Sequence, residues 1–248
     1  MSNITIKDLS IKFRVYHDRS PSFKSYFASL FSKDPTLSSY TDFWAIKNLS
    51  LNIKAGDRIG IIGHNGAGKS TLLKTLCKIY SPSEGHIHVV GRLAPLLEIG
   101  AGFHPEFTGR ENIYLNGSIL GYSKKQLRAI EAEVIAFAEI EEFIDTPVKY
   151  YSTGMYMRLA FSLATAMHPD ILILDELFAG GDIAFITKAK TRMMEMVNKA
   201  NIMMMVSHDH DLIRLLCNRV IWLDHGRIVC DGETNTIVQR YLDHETPQ

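Results

Sequence analysis

The sequence predicts an α/β domain built around a mainly parallel sheet. Three observations carry that expectation. Short apolar runs at residues 58–62, 171–174, 203–206 and 220–223 have strand length, and their uniform apolarity suits strands covered on both faces. Longer stretches with helical spacing of apolar residues lie between them, at 69–78, 124–143, 155–167 and 185–199. The alternation of the two kinds of segment is the order of a parallel sheet with helical crossovers.

Taken in order, residues 3–6 and 49–53 alternate apolar with polar, as half-buried strands do, and predict an antiparallel β edge. Residues 14–43 are rich in Ser, Tyr, Phe and charge and hold Pro21 and Pro35. They read as an insertion or hairpin between the first two strands. A glycine-punctuated, mostly helical stretch at about 100–165 reads as a helical subdomain inserted between sheet strands. A short helix at 234–242 leads into the tail, and the whole of 1–248 reads as one domain, with no further binding domain after it.

Composition narrows the function. Lys and Arg total 27 and Asp and Glu total 27, so the net charge is zero. That balance argues against a nucleic-acid partner, whose phosphates demand a basic face. Cys77, Cys217 and Cys230 lack the paired spacing of zinc or redox sites and read as free thiols. No signal peptide is read at the N-terminus, and no apolar run approaches the ~20 residues of a membrane helix, so work at a membrane requires a partner that holds the chain there.

The strongest motif is Gly63-His64-Asn65-Gly66-Ala67-Gly68-Lys69-Ser70-Thr71, which fits G-x-x-x-x-G-K-[ST] between an apolar strand and a helix. Glycines let the backbone wrap a pyrophosphate so that successive N–H groups point inward, and the helix N-terminus adds partial positive charge. Lys69 is placed to reach the β- and γ-phosphates of ATP, and the Ser70 hydroxyl to ligate Mg²⁺. About 107 residues beyond Gly68, the run Ile171-Leu172-Ile173-Leu174 ends in Asp175-Glu176. A carboxylate delivered by a buried strand suits Mg²⁺ anchoring at Asp175, and Glu176 suits polarisation of an attacking water.

Between these two motifs, Tyr151-Ser152-Thr153-Gly154-Met155 opens a helix. It resembles the signature loop of ATP-binding cassette (ABC) proteins, and the chain as a whole is similar to that family. The resemblance implies a P-loop NTPase fold and ATP hydrolysis. It implies that Ser152, Thr153, Gly154 and Met155 close on the nucleotide of a second copy in a head-to-tail homodimer. His208 resembles the switch histidine at the γ-phosphate, Asp182 the loop aspartate that communicates across the dimer, and Trp44, with Phe43 as competitor, the aromatic stacked on adenine. Glu98 stands near the position of the usual loop glutamine and is a candidate Mg²⁺ ligand in its place. The segments 96–112, 151–161 and 182–185, with the insertion at 14–43, look like the subunits that export O-antigen, capsular polysaccharide or teichoic acid, O-antigen foremost. The resemblance then implies two copies of a polytopic permease, a lipid-linked glycan handled through it, and a place on the cytoplasmic face of the bacterial inner membrane. Phe103, Phe107 and Tyr114 are candidates for permease contact. The rival reading is a soluble cassette that clamps DNA or ribosomes, against which the neutral charge and absence of heptads count.

Overall fold

A computed structural model describes residues 1–16, 40–96, 99–175 and 183–245. Its strands are β1 (Asn3–Tyr16), β2 (Tyr40–Lys54), β3 (Arg58–Ile62), β4 (Glu84–Val90), β5 (Leu93–Leu96), β6 (Ile171–Asp175), β7 (Ile202–Val206), β8 (Arg219–Asp224) and β9 (Arg227–Glu233). The helices are α1 (Lys69–Leu76), α2 (Gly109–Ile119), α3 (Lys124–Ala138), α4 (Thr153–Thr165), α5 (Ile183–Lys199), α6 (His210–Leu216) and α7 (Thr234–Glu245).

The strands form two sheets. One is antiparallel, in the order β2-β1-β4; the other runs β5-β6-β7-β3-β8-β9, parallel except for β9. The central strands show why the sequence demands burial on both faces. Ile171 and Ile173 enter a core shared with α1 and the antiparallel sheet, where Ile4, Ile6, Leu72 and Leu73 lie. Leu172 and Leu174 point the opposite way, against Phe185, Ala189 and Met193 of α5. The same parity divides Met204 from Met203 and Met205 on β7. A period of two thus builds two cores from one strand.

A third core sits among α2, α3 and α4, where Ile113, Val134, Ala138, Leu159 and Leu163 are buried together. Both incoming helices start with reciprocal caps, Thr108 with Glu111 and Ser123 with Gln126. Arg110 ties these elements together: it pairs with Glu131 of α3, and its Nε lies 2.7 Å from Asp145.

Two sequence expectations shift. The helix expected over 124–143 stops at Ala138, because Lys188 donates to the Phe137 carbonyl (3.0 Å) while Glu139 turns left-handed (φ 56°). The Glu139 carboxylate then takes Lys188 at 2.9 Å and Arg158 at 3.0 Å, and a separate 3₁₀ turn follows at Glu141–Phe143. Ser152 caps α4, so that helix begins two residues before the expected 155. β1 and β2 run on into the 14–43 segment as a hairpin, pairing Arg14 with Asp42 and Val15 with Thr41, while residues 17–39 lie outside the described residues.

Ile61 lies fully buried between Val206 and Ile221 on its neighbouring strands. Ile61→Ala is expected to lower unfolding free energy by about 2–5 kcal/mol, seen as a lower urea midpoint at unchanged slope.

Candidate nucleotide site

β3 ends at Ile62 and the chain turns at once through left-handed backbone. Gly63 has φ 143°, and a Cβ there would sit 2.1 Å from the Leu223 carbonyl oxygen. Gly68 caps α1 at φ 103°, where a Cβ would meet the Ala45 oxygen at 2.6 Å. The loop is therefore wedged between β8 and β2, and only glycine fits these two positions.

Lys69 opens α1 and is 7% exposed. Its Nζ donates to the carbonyls of Gly63 at 2.5 Å and His64 at 3.0 Å, folding the ammonium across the loop it follows. Burying a cation demands such partners. A cleft of about 540 Å³ opens in front of it, lined by Asn65 through Thr71, Asp175, Val206 and His208, with Phe13, Phe43 and Ala45 as an apolar wall. Sheet register explains the convergence. Asp175 pairs with Val206, and Val206 with Ile61, so the C-terminal ends of three adjacent parallel strands meet the loop side by side. His208 follows two residues after β7 and is exposed at the rim.

The structure brings together Asn65, Gly66, Ala67, Gly68, Lys69, Ser70, Thr71, Asp175 and His208. Ser70 and Asp175 offer hard oxygen donors within one cleft, a donor set that suits Mg²⁺. Gly63 serves through its carbonyl on Lys69. His64 is placed differently: its ring turns toward the β8–β9 turn, with Nε2 2.7 Å from Asp224 Oδ1. Ser152 and Thr153 are exposed, and neither they nor Gly154 and Met155 line this cleft; the Ser152 hydroxyl accepts from the Met155 N–H at 3.2 Å. Glu98, Glu176 and Asp182 lie outside the described residues.

Trp44 does not line the cleft, whereas Phe43 and Ala45 do. The reason is a break in strand parity. Leu49, Leu51 and Ile53 enter the core, which would send 43 and 45 there too, but Asn48 is left-handed (φ 47°) and the β1–β2 register shifts between Leu9 and Ile11. Ile46 takes the core position instead, and Phe43 faces the cleft opposite its pair Phe13. Trp44 lies under the Lys12 ammonium, 5.3 Å from its ring centre. Phe13 escaped the sequence reading; its signal was a bulky apolar residue in β1, which becomes meaningful only once its pairing with Phe43 is known.

Phe103 packs edge-on against Tyr156, Tyr114 bonds Glu131, and of the three candidates for permease contact only Phe107 is exposed. Burial pushes the Cys77 and Cys217 thiols up to about 12, and the Tyr151 phenol likewise, so none of them ionises near neutrality. Among the described residues no helix is long and apolar enough to cross a membrane.

A two-sheet α/β core with an inserted helical subdomain, and a phosphate loop facing an aspartate at a strand end, define an ATP-binding cassette ATPase. The ABC transporter family model matches residues 46–179, and the chain belongs to that family. It is 45% identical over 199 residues to the O-antigen export system ATP-binding protein RfbB of Myxococcus xanthus, covering 80% of this chain and 46% of that one. The chain thus spans about half the length of that relative. It is 39% identical to RfbE, the O-antigen export system ATP-binding protein of Yersinia enterocolitica, over 92% of this chain and 97% of the relative. Over 97% of this chain it is 35% identical to the teichoic acids export ATP-binding protein TagH of Levilactobacillus brevis, of which it covers 64%. Among solved structures, an ATP binding subunit of an ABC transporter superposes with TM-score 0.68 at 21% identity, covering 98% of this chain and 95% of that one. A dimeric cassette in a post-hydrolysis state bound to ADP and Pi superposes at 0.65 with 20% identity, over 93% of this chain and 98% of that one.

If Phe43 supplies the adenine platform, Phe43→Ala is expected to weaken ATP binding about tenfold while leaving inorganic triphosphate binding unchanged. Trp44→Ala should change neither, and calorimetric titration of both ligands checks the pair.

Proposed function

We propose that this chain is the ATP-hydrolysing subunit of a bacterial exporter of lipid-linked polysaccharide, O-antigen foremost. The observation that carries the reading is the cleft, in which Lys69, Ser70, Asp175 and His208 converge while Ser152 and Thr153 stay exposed elsewhere. A serine and free N–H groups at a helix N-terminus make an anion site that one copy cannot turn on its own cleft. Two copies set head to tail would complete each other's sites, giving a homodimer around two ATP molecules.

In this reading the loop N–H groups and Lys69 bind the phosphates, and the wall of Phe13, Phe43 and Ala45 receives the base. Ser70 and Asp175 would hold Mg²⁺, with Glu98 as a further candidate, and the metal would neutralise charge building on the phosphate oxygens. Glu176, adjacent to Asp175 in the sequence, would accept a proton from the attacking water, and His208 at the rim would orient the γ-phosphate and that water. Hydrolysis and reopening would then move two copies of a polytopic permease, held at the cytoplasmic face of the inner membrane, with Phe107 in the contact. Names of relatives support polysaccharide as cargo, and those named for teichoic acid export, at 35–41% identity, favour teichoic acid as the second reading.

Glu176→Gln is expected to keep ATP affinity within about threefold while turnover falls at least a hundredfold, and ATP should then hold the chain as a dimer in light scattering. In cells carrying the cognate permease, the same variant should leave lipid-linked glycan unexported. Normal turnover removes Glu176 from the reaction, and normal surface glycan with a dead ATPase removes the export role.

A further inference from the structure

The His64 side chain turns away from the phosphate cleft and toward the β8–β9 turn. Its Nδ1 lies 2.6 Å from the Asn65 carbonyl oxygen, and a carbonyl only accepts, so Nδ1 carries the proton. In the neutral ring Nε2 then holds a lone pair. That atom is sealed from solvent, makes no hydrogen bond, and yet lies 2.7 Å from Asp224 Oδ1. At this distance a positive charge has to lie between the imidazole and the carboxylate, either a second ring proton or a metal ion.

A third donor stands beside the pair. His225 Nδ1 is 2.9 Å from the same Asp224 oxygen, and the two imidazole rings sit 4.9 Å apart. The three ligand atoms all lie within 4.8 Å of one another. Bonds of ~2.0–2.1 Å in a tetrahedron set donor separations of roughly 3.4 Å, so two of these contacts need to open by about half an ångström around an ion. The frame is firm. Gly226 N–H donates to the Ala67 carbonyl at 3.0 Å, and its own carbonyl accepts from Lys47 N–H at 2.9 Å, pinning the β8–β9 turn to the phosphate loop and to β2. The Nδ1–H to Asn65 bond is also the outer contact that typically orients a metal-bound histidine.

We propose that His64, Asp224 and His225 bind a borderline transition-metal dication, Zn²⁺ foremost, at a site separate from the Mg²⁺ position in the cleft. Two imidazole nitrogens and one carboxylate suit Zn²⁺ with water in the fourth place, and Mg²⁺ takes such nitrogen ligands poorly. The bound ion would cross-link residue 64 of the phosphate loop to residues 224 and 225, which lie far away in sequence.

The test uses the full chain without an affinity tag, stripped by chelator and free of nucleotide. Zn²⁺ titrated calorimetrically is expected to bind one equivalent, undisturbed by millimolar Mg²⁺, and to raise Tm by a few degrees. Co²⁺ in its place should give the strong visible bands of four-coordinate cobalt. His225→Asn removes the ring while suiting the left-handed backbone at this position (φ 45°), and should weaken Zn²⁺ at least tenfold and abolish both the Tm rise and the bands. His86 and His88, both exposed on β4, are the competing pair, and replacing both with Ala should leave binding intact. No one-to-one binding, equal affinity in His225→Asn, or loss that follows His86 and His88 would each overturn the site.

Discussion

The structure turns on a buried lysine ammonium placed at the mouth of a loop that only glycine can form. Lys69 has to be buried to stand at the start of α1, and it is tolerable there because the Gly63 and His64 carbonyls accept its protons. Those carbonyls face it because Gly63 leaves β3 at φ 143° under the Leu223 oxygen and Gly68 enters α1 at φ 103° against Ala45. The surrounding elements follow from that wedge. β8 and β2 must approach closely enough to clamp the loop, and the parallel order β6-β7-β3-β8 is what sets Asp175 and His208 beside it. A polyanion at this position adds negative charge where one ammonium and the N-terminus of α1 already stand.

Division of labour within the chain follows from packing. The strand ends at the cleft rest on two cores formed by alternate residues of the same strands, so their positions are over-determined. The helical subdomain has its own core and its own clamp at Arg110, whose guanidinium reaches both Glu131 and Asp145. Ser152 sits on that subdomain, exposed and away from the cleft.

Most of the architecture was legible from residue pattern. The strand expected at 58–62 is β3 as observed, and 171–174 differs from β6 only by Asp175, because buried parallel strands announce themselves as unbroken apolar runs. The phosphate loop was legible because its chemistry fixes residue type and spacing together. What escaped depended on contacts distant in sequence. No local signal marks the end of α3 at Ala138, since Glu139 is a good helix former until Lys188 claims the Phe137 carbonyl. Which of Phe43 and Trp44 lines the cleft depends on strand parity, which shifts near the left-handed Asn48. The turn of His64 toward Asp224 joins residues 160 apart, which no motif records.

The central claim is that the Lys69 charge, held by the loop carbonyls, is what the fold presents to a nucleotide. Lys69→Met keeps the stem and removes the charge. Equilibrium binding of a fluorescent ATP analogue with Mg²⁺, measured beside thermal unfolding, tests this most directly. The account predicts at least a tenfold loss of affinity, with Tm lowered by a few degrees because the Gly63 and His64 carbonyls lose their donor. Nucleotide affinity equal to that of the unaltered chain, in a variant that folds, would contradict it.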